Sequence, residues 1–134
     1  MSLKTYHGSC HCGNVKYEAT FDPAEGSGKC NCTFCYKSRN WGFFVKPENF
    51  KLLTDESETT DYSRNGMTHL LFCKTCGVRS YSWSNIPEAG GFKYGVAVTC
   101  LDDITQDEIA SAPVKYADGL HNNWWNVPED TRNL

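Results

Sequence analysis

Three short stretches of this chain concentrate its metal-binding chemistry: Cys10-His11-Cys12, Cys30-Asn31-Cys32-Thr33-Phe34-Cys35 and Cys73-Lys74-Thr75-Cys76. Together they hold seven of the eight cysteines. Thiolates this close in sequence are good ligands for a soft divalent ion. A structural zinc takes four protein ligands, whereas a zinc that does chemistry keeps three and leaves a position open. Seven divides as four and three, so the spacing is read as one closed site and one open site. Which groups share a metal is not assigned by spacing, and other pairings stay open.

An even count of eight cysteines also fits a disulfide framework. Cysteines one or two residues apart rarely reach disulfide geometry, and Met1-Ser2-Leu3-Lys4 lacks the apolar stretch of a signal peptide. A reducing, cytoplasmic setting is therefore expected. The middle group differs from the others because it offers three thiolates from one six-residue loop, after Glu25-Gly26-Ser27-Gly28, read as flexible. An open position there would accept water or an exogenous thiol. Cys100, alone at the end of an apolar stretch, is read as a buried free thiol. Its alternative role is to complete a second closed site.

The elements that must position these groups are mostly strands. Alternation and β-branched or aromatic runs predict strands at 15–21, 41–45, 50–53, 59–63, 68–72, 78–83 and 92–101. Asn65-Gly66 predicts a hairpin turn between the fourth and fifth of these. One short helix is expected over 105–111, where Thr105 and Glu108 form a capping-box pattern and Pro113 follows the end. Gly13 and Gly77 each follow a cysteine pair and permit the turn that brings two thiolates to one metal. A metal shared between two such corners would staple distant parts of the chain.

At 134 residues the chain is expected to form a single domain, 1–134. No stretch approaches the roughly twenty apolar residues of a membrane span. A formal charge of −3 with scattered lysines and arginines disfavours nucleic-acid and membrane partners. An exposed edge strand would allow a homodimer.

The segments Gly8-Ser9-Cys10-His11-Cys12-Gly13-Asn14-Val15-Lys16-Tyr17, Cys30-Asn31-Cys32-Thr33-Phe34-Cys35 and Phe72-Cys73-Lys74-Thr75-Cys76-Gly77 stand in this order in the chain. With Val98-Thr99-Cys100-Leu101-Asp102, they resemble the signature segments of the glutathione-dependent formaldehyde-activating enzyme family, which also includes centromere protein V. The resemblance covers roughly residues 8–103. It implies a mainly β fold of the β-tent type with two zinc ions per chain. It also implies the ligand sets: Cys10, Cys12, Cys73 and Cys76 for a structural zinc, and Cys30, Cys32 and Cys35 for a catalytic one. The implied activity is that of a carbon–sulfur lyase or synthase that adds the glutathione thiol to formaldehyde. An enzyme acting on another small thiol adduct, and a non-catalytic zinc-stabilised interaction module, are the alternatives.

Around this centre, Lys37 and Arg39 are candidates for the carboxylates of glutathione. Trp41, Phe43 and Phe44 are expected to wall the middle loop. His11 is read as solvent-facing rather than as a ligand. The tail around His121, Trp124 and Trp125 is read chiefly as sealing the core, with folding over the middle loop as the alternative.

Overall fold

In the computed structural model, which describes residues 2–134, strands dominate. They are β1 (Lys4–Ser9), β2 (Lys16–Phe21), β3 (Ser27–Cys30), β4 (Trp41–Val45), β5 (Phe50–Leu52), β6 (Thr59–Tyr62), β7 (Thr68–Cys73), β8 (Tyr81–Ile86), β9 (Gly91–Ala97) and β10 (Val114–Ala117). Two helices of six residues each, α1 (Thr33–Ser38) and α2 (Gln106–Ser111), complete the regular elements. The fold is mainly β, as expected, but it has two short helices rather than one. No helix among the described residues is long and apolar enough to cross a membrane.

The strands form a three-stranded sheet in the order β1-β2-β5 and a seven-stranded sheet in the order β10-β3-β4-β9-β8-β7-β6. Every neighbouring pair is antiparallel except β3 and β10. Alternation places one face of the small sheet inward: Tyr6 of β1 and Tyr17, Ala19 and Phe21 of β2 are buried, while the residues between them are more exposed. These side chains meet Phe43, Val45, Tyr81 and Val96 of the large sheet in one core cluster. Phe21 and Phe43 lie 4.7 Å apart between ring centroids, and Tyr17 and Tyr81 lie 5.8 Å apart. The Tyr17 hydroxyl donates to the Ser80 carbonyl at 2.9 Å, so this buried polar group of the small sheet is satisfied by the residue that precedes β8. Gly8 is required beside it, because a Cβ there would collide with the Tyr17 ring.

The β6–β7 hairpin turns where Asn65-Gly66 predicts. Gly66 has φ +74°, and Asn65 Oδ1 accepts from the backbone N–H of Met67 and Thr68 at 2.9 and 3.1 Å. At α2 the full capping box forms, with Thr105 Oγ1 accepting from Glu108 N and Glu108 Oε1 accepting from Thr105 N, each at 3.0 Å. Three expectations need correction. The segment at 98–100 is a tight 3-10 turn rather than the end of a strand, so Cys100 sits in a turn. Residues 25–28 are not a flexible approach: Glu25 ends a 3-10 turn, and Ser27 is buried and opens β3, which is held between β4 and β10. The middle cysteines do not lie on a loop: Cys30 ends β3, Cys32 caps α1, and Cys35 lies within α1.

Candidate metal centres

Two corners of the chain build the first cysteine group by the same device. In the β1–β2 turn, Cys10 N donates to Val15 O at 3.0 Å and Gly13 N to Cys10 O at 3.3 Å. In the β7–β8 turn, Cys73 N donates to Val78 O at 3.0 Å and Gly77 N to Cys73 O at 2.8 Å. Gly13 and Gly77 take φ of +84° and +77°, the left-handed region each turn needs. The fold brings these corners together, so the sulfur atoms of Cys10, Cys12, Cys73 and Cys76 lie within 4.8 Å of one another. Cys10 and Cys12 are 3.7 Å apart, and Cys12 and Cys73 are 3.6 Å apart. A tetrahedral zinc with sulfur arms near 2.3 Å implies sulfur–sulfur edges of about 3.8 Å. Four thiols at this spacing fit such an ion. Backbone N–H groups already point at the sulfur atoms: Val15 N donates to Cys10 Sγ at 3.3 Å and Thr75 N to Cys73 Sγ at 3.4 Å. Donors of this kind, from Cys12 and then Val78, hold the Cys76 thiol down to about 6.

The second group is Cys30, Cys32 and Cys35, again within 4.8 Å of one another. The short helix α1 explains the spacing. Cys32 Sγ accepts from Cys35 N at 3.4 Å as the helix cap, which folds Cys35 back over Cys32, while Cys32 N donates to Cys30 Sγ at 3.3 Å. The three sulfur atoms cannot all carry charge unaided. Hydrogen bonding from Cys30, then Cys35, holds the Cys32 thiol down to about 2; the contact with Cys32 pushes Cys30 up, and those with Cys30, then Cys32, push Cys35 up. A cation bound by all three would relieve the crowding. Both groups could hold a metal ion. Cys100 belongs to neither; it is half-buried rather than buried, and burial raises its thiol pKa.

A pocket of about 170 Å³ opens beside the second group, lined by Lys29, Cys30, Cys35, Tyr36, Arg39, Asn40, Trp41 and Leu134. Of the expected aromatic wall only Trp41 takes part. Its Nε1 donates to Ser27 Oγ at 2.8 Å, and Lys29 Nζ lies 4.7 Å from its ring centroid. Phe43 is committed to the core, and Phe44 is 64% exposed. The two basic candidates part company. Arg39 lines the pocket, while Lys37 lines a separate groove with Phe34, Tyr62 and Arg64. The cations that line the pocket are Arg39 and Lys29. Lys29 escapes sequence reasoning because β3 itself does.

The tail covers the second group rather than sealing the core: Trp124 and Trp125 are 46% and 74% exposed. Asn31, between two of the cysteines, is the latch. Its Nδ2 donates to Asp118 Oδ1 at 2.8 Å, its Oδ1 accepts from Leu120 N at 3.0 Å, and its backbone N–H donates to Ala117 O at 3.2 Å. The Asn31 amide, and then His121, hold the Asp118 carboxyl below its usual range. Gly119 sits so close that a Cβ would lie 2.6 Å from Cys30 Sγ and would also strike the Trp124 ring. His11 is exposed and stands outside both groups. His121 bonds to Asp118 and also stands outside them.

The chain is similar to known proteins in sequence and in fold. Residues 5–117 match the family model described as "Glutathione-dependent formaldehyde-activating enzyme". Among solved structures, a Rhodobacter sphaeroides protein known from its crystal structure superposes with a TM-score of 0.68 at 22% sequence identity, over 81% of this chain and 99% of its own. At that identity the likeness concerns the fold.

Proposed function

The chain belongs to the glutathione-dependent formaldehyde-activating enzyme family, and on that premise we propose that it is a zinc-dependent carbon–sulfur lyase run in the synthetic direction, adding the glutathione thiol to formaldehyde. The observation that carries this reading is the group of three sulfur donors, with no fourth among the described residues, at the wall of a pocket bearing two cations.

In the reaction the thiol sulfur forms a bond to the carbonyl carbon. The carbon–oxygen π pair moves to oxygen, and the proton lost by the thiol ends on that oxygen, giving S-hydroxymethylglutathione. With three thiolate donors limiting its electrophilicity, a zinc ion held by Cys30, Cys32 and Cys35 would supply thiol activation rather than strong carbonyl polarisation. The chain's own residues supply placement. Lys29 and Arg39 offer charge-assisted hydrogen bonds to the substrate carboxylates. Trp41, fixed by Ser27, gives the thiol arm an apolar wall. The tail, latched by Asn31, packs Gly119 against Cys30 and would shield that face of the sulfur from water. In this reading Cys10, Cys12, Cys73 and Cys76 hold the second, structural zinc.

The test is magnetisation-exchange NMR between free glutathione and its hydroxymethyl adduct. The zinc-loaded protein is expected to accelerate exchange above the spontaneous rate, and Cys35→Ser to return it to that rate. Exchange at the spontaneous rate with fully loaded protein would overturn the assignment.

A further inference from the structure

Arg79 stands three residues past Cys76, at the approach to β8, and is only partly exposed. A guanidinium drawn out of water needs anionic or hydrogen-bonding partners. Among the described residues no carboxylate lies within ion-pair distance of it. It meets neutral groups instead: Nη2 donates to Asn40 Oδ1 at 2.7 Å, and the guanidinium carbon lies 5.4 Å from the Phe34 ring centroid. Both contacts flank Cys35. Phe34 is the residue before it, and Asn40 turns its Nδ2 back to Cys35 Sγ at 3.5 Å while its backbone N–H donates to Cys35 O at 2.9 Å. Arg79, Asn40 and Cys35 therefore form one chain of donors running toward the sulfur.

We propose that Arg79 is the counter-charge of the three-cysteine centre and, through Asn40, the residue that holds Cys35 in its metal-ready position. The inference rests on reading Cys30, Cys32 and Cys35 as a metal centre. Three thiolates around a divalent cation leave an excess of negative charge in a partly desolvated site, and a half-buried arginine offsets it. Arginine suits the position better than lysine. Its planar fork donates to Asn40 and lies over Phe34 at once, whereas an ammonium would keep the charge and lose the alignment. Arg79 is thus a positioning residue, acting through Asn40.

The experiment is a titration of the reduced, metal-free protein with cadmium, followed by the sulfur-to-metal charge-transfer absorption, on wild type, Arg79→Met, Arg79→Lys and Asn40→Ala. Affinity for the second equivalent is expected to fall about 10–100-fold in Arg79→Met, the usual effect of removing a group that supports a ligand. It should fall less in the other two variants. The first equivalent, held by the four-cysteine group, should bind as in wild type. An unchanged second equivalent in Arg79→Met, or an equal loss of both equivalents, would overturn the proposal. Should Arg79→Met fail to fold, Asn40→Ala and Arg79→Lys carry the same comparison. A wild type that binds one equivalent would remove the centre itself, an outcome distinct from a centre that forms without needing Arg79.

Discussion

At the scale of single residues, charge on this protein is set by specific partners. His69 shows it outside the cysteine groups. Its ring stacks on Trp83 at 3.9 Å between centroids, and Nδ1 lies 2.5 Å from Asp61 Oδ2. That hydrogen bond raises its pKa above the ordinary 6.5. A folded pKa raised above the unfolded one adds stability that is fully present below the unfolded value and is lost as pH rises through the folded value. Asp61→Asn should bring the midpoint down toward 6.5, read from the imidazole signals in an NMR titration; a midpoint that stays high would reject the pairing. The cysteines could be read from sequence because their types and spacings are chemical statements in themselves. Arg79 and Asn40 could not, because their importance lies in where a distant strand places them. The one available signal was a charge at the start of the strand expected over 78–83, of which only 81–83 belongs to β8.

Among the elements, the short ones carry the second centre, and they were the hardest to foresee. Strands with clear alternation or aromatic content stand close to their expected places: 41–45 is β4 itself, and 59–63 and 68–72 are the β6–β7 hairpin. β1, β3, β10 and α1 were not expected. A six-residue helix is too short to show a period, β3 is masked by its glycines, and β10 pairs in parallel with β3 across a long stretch of sequence. The tail after β10 had two readings, and packing decided between them: Gly119 fits between the Trp124 ring and Cys30 Sγ only because it has no side chain. Gly119→Ala should therefore overpack this contact, at about 1–3 kcal/mol. It should also expose Cys30, seen as faster reaction of metal-free protein with an aromatic disulfide reagent. Unchanged thiol reactivity and melting would mean that the tail does not bear on the cysteine.

Over the whole molecule, the two sulfur groups have different structural reach. Cys10 and Cys12 turn between strands of the small sheet, and Cys73 and Cys76 between strands of the large one, so a metal there ties the two sheets together. The other group lies within residues 30–35 and ties only a strand end to a helix. In metal-loaded protein, Cys73→Ser should cost several kcal/mol, on the order of 10 °C in melting temperature, and Cys32→Ser much less. Equal losses would contradict a staple confined to the first group. The central claim is that four sulfur atoms close one centre while three leave the other open to a thiol. Cobalt substitution followed by addition of glutathione tests it most directly. The account predicts two cobalt ions per chain and a thiolate charge-transfer spectrum in which glutathione alters the component from the second ion alone. A single cobalt per chain, or a two-cobalt spectrum that glutathione leaves unchanged, would contradict it.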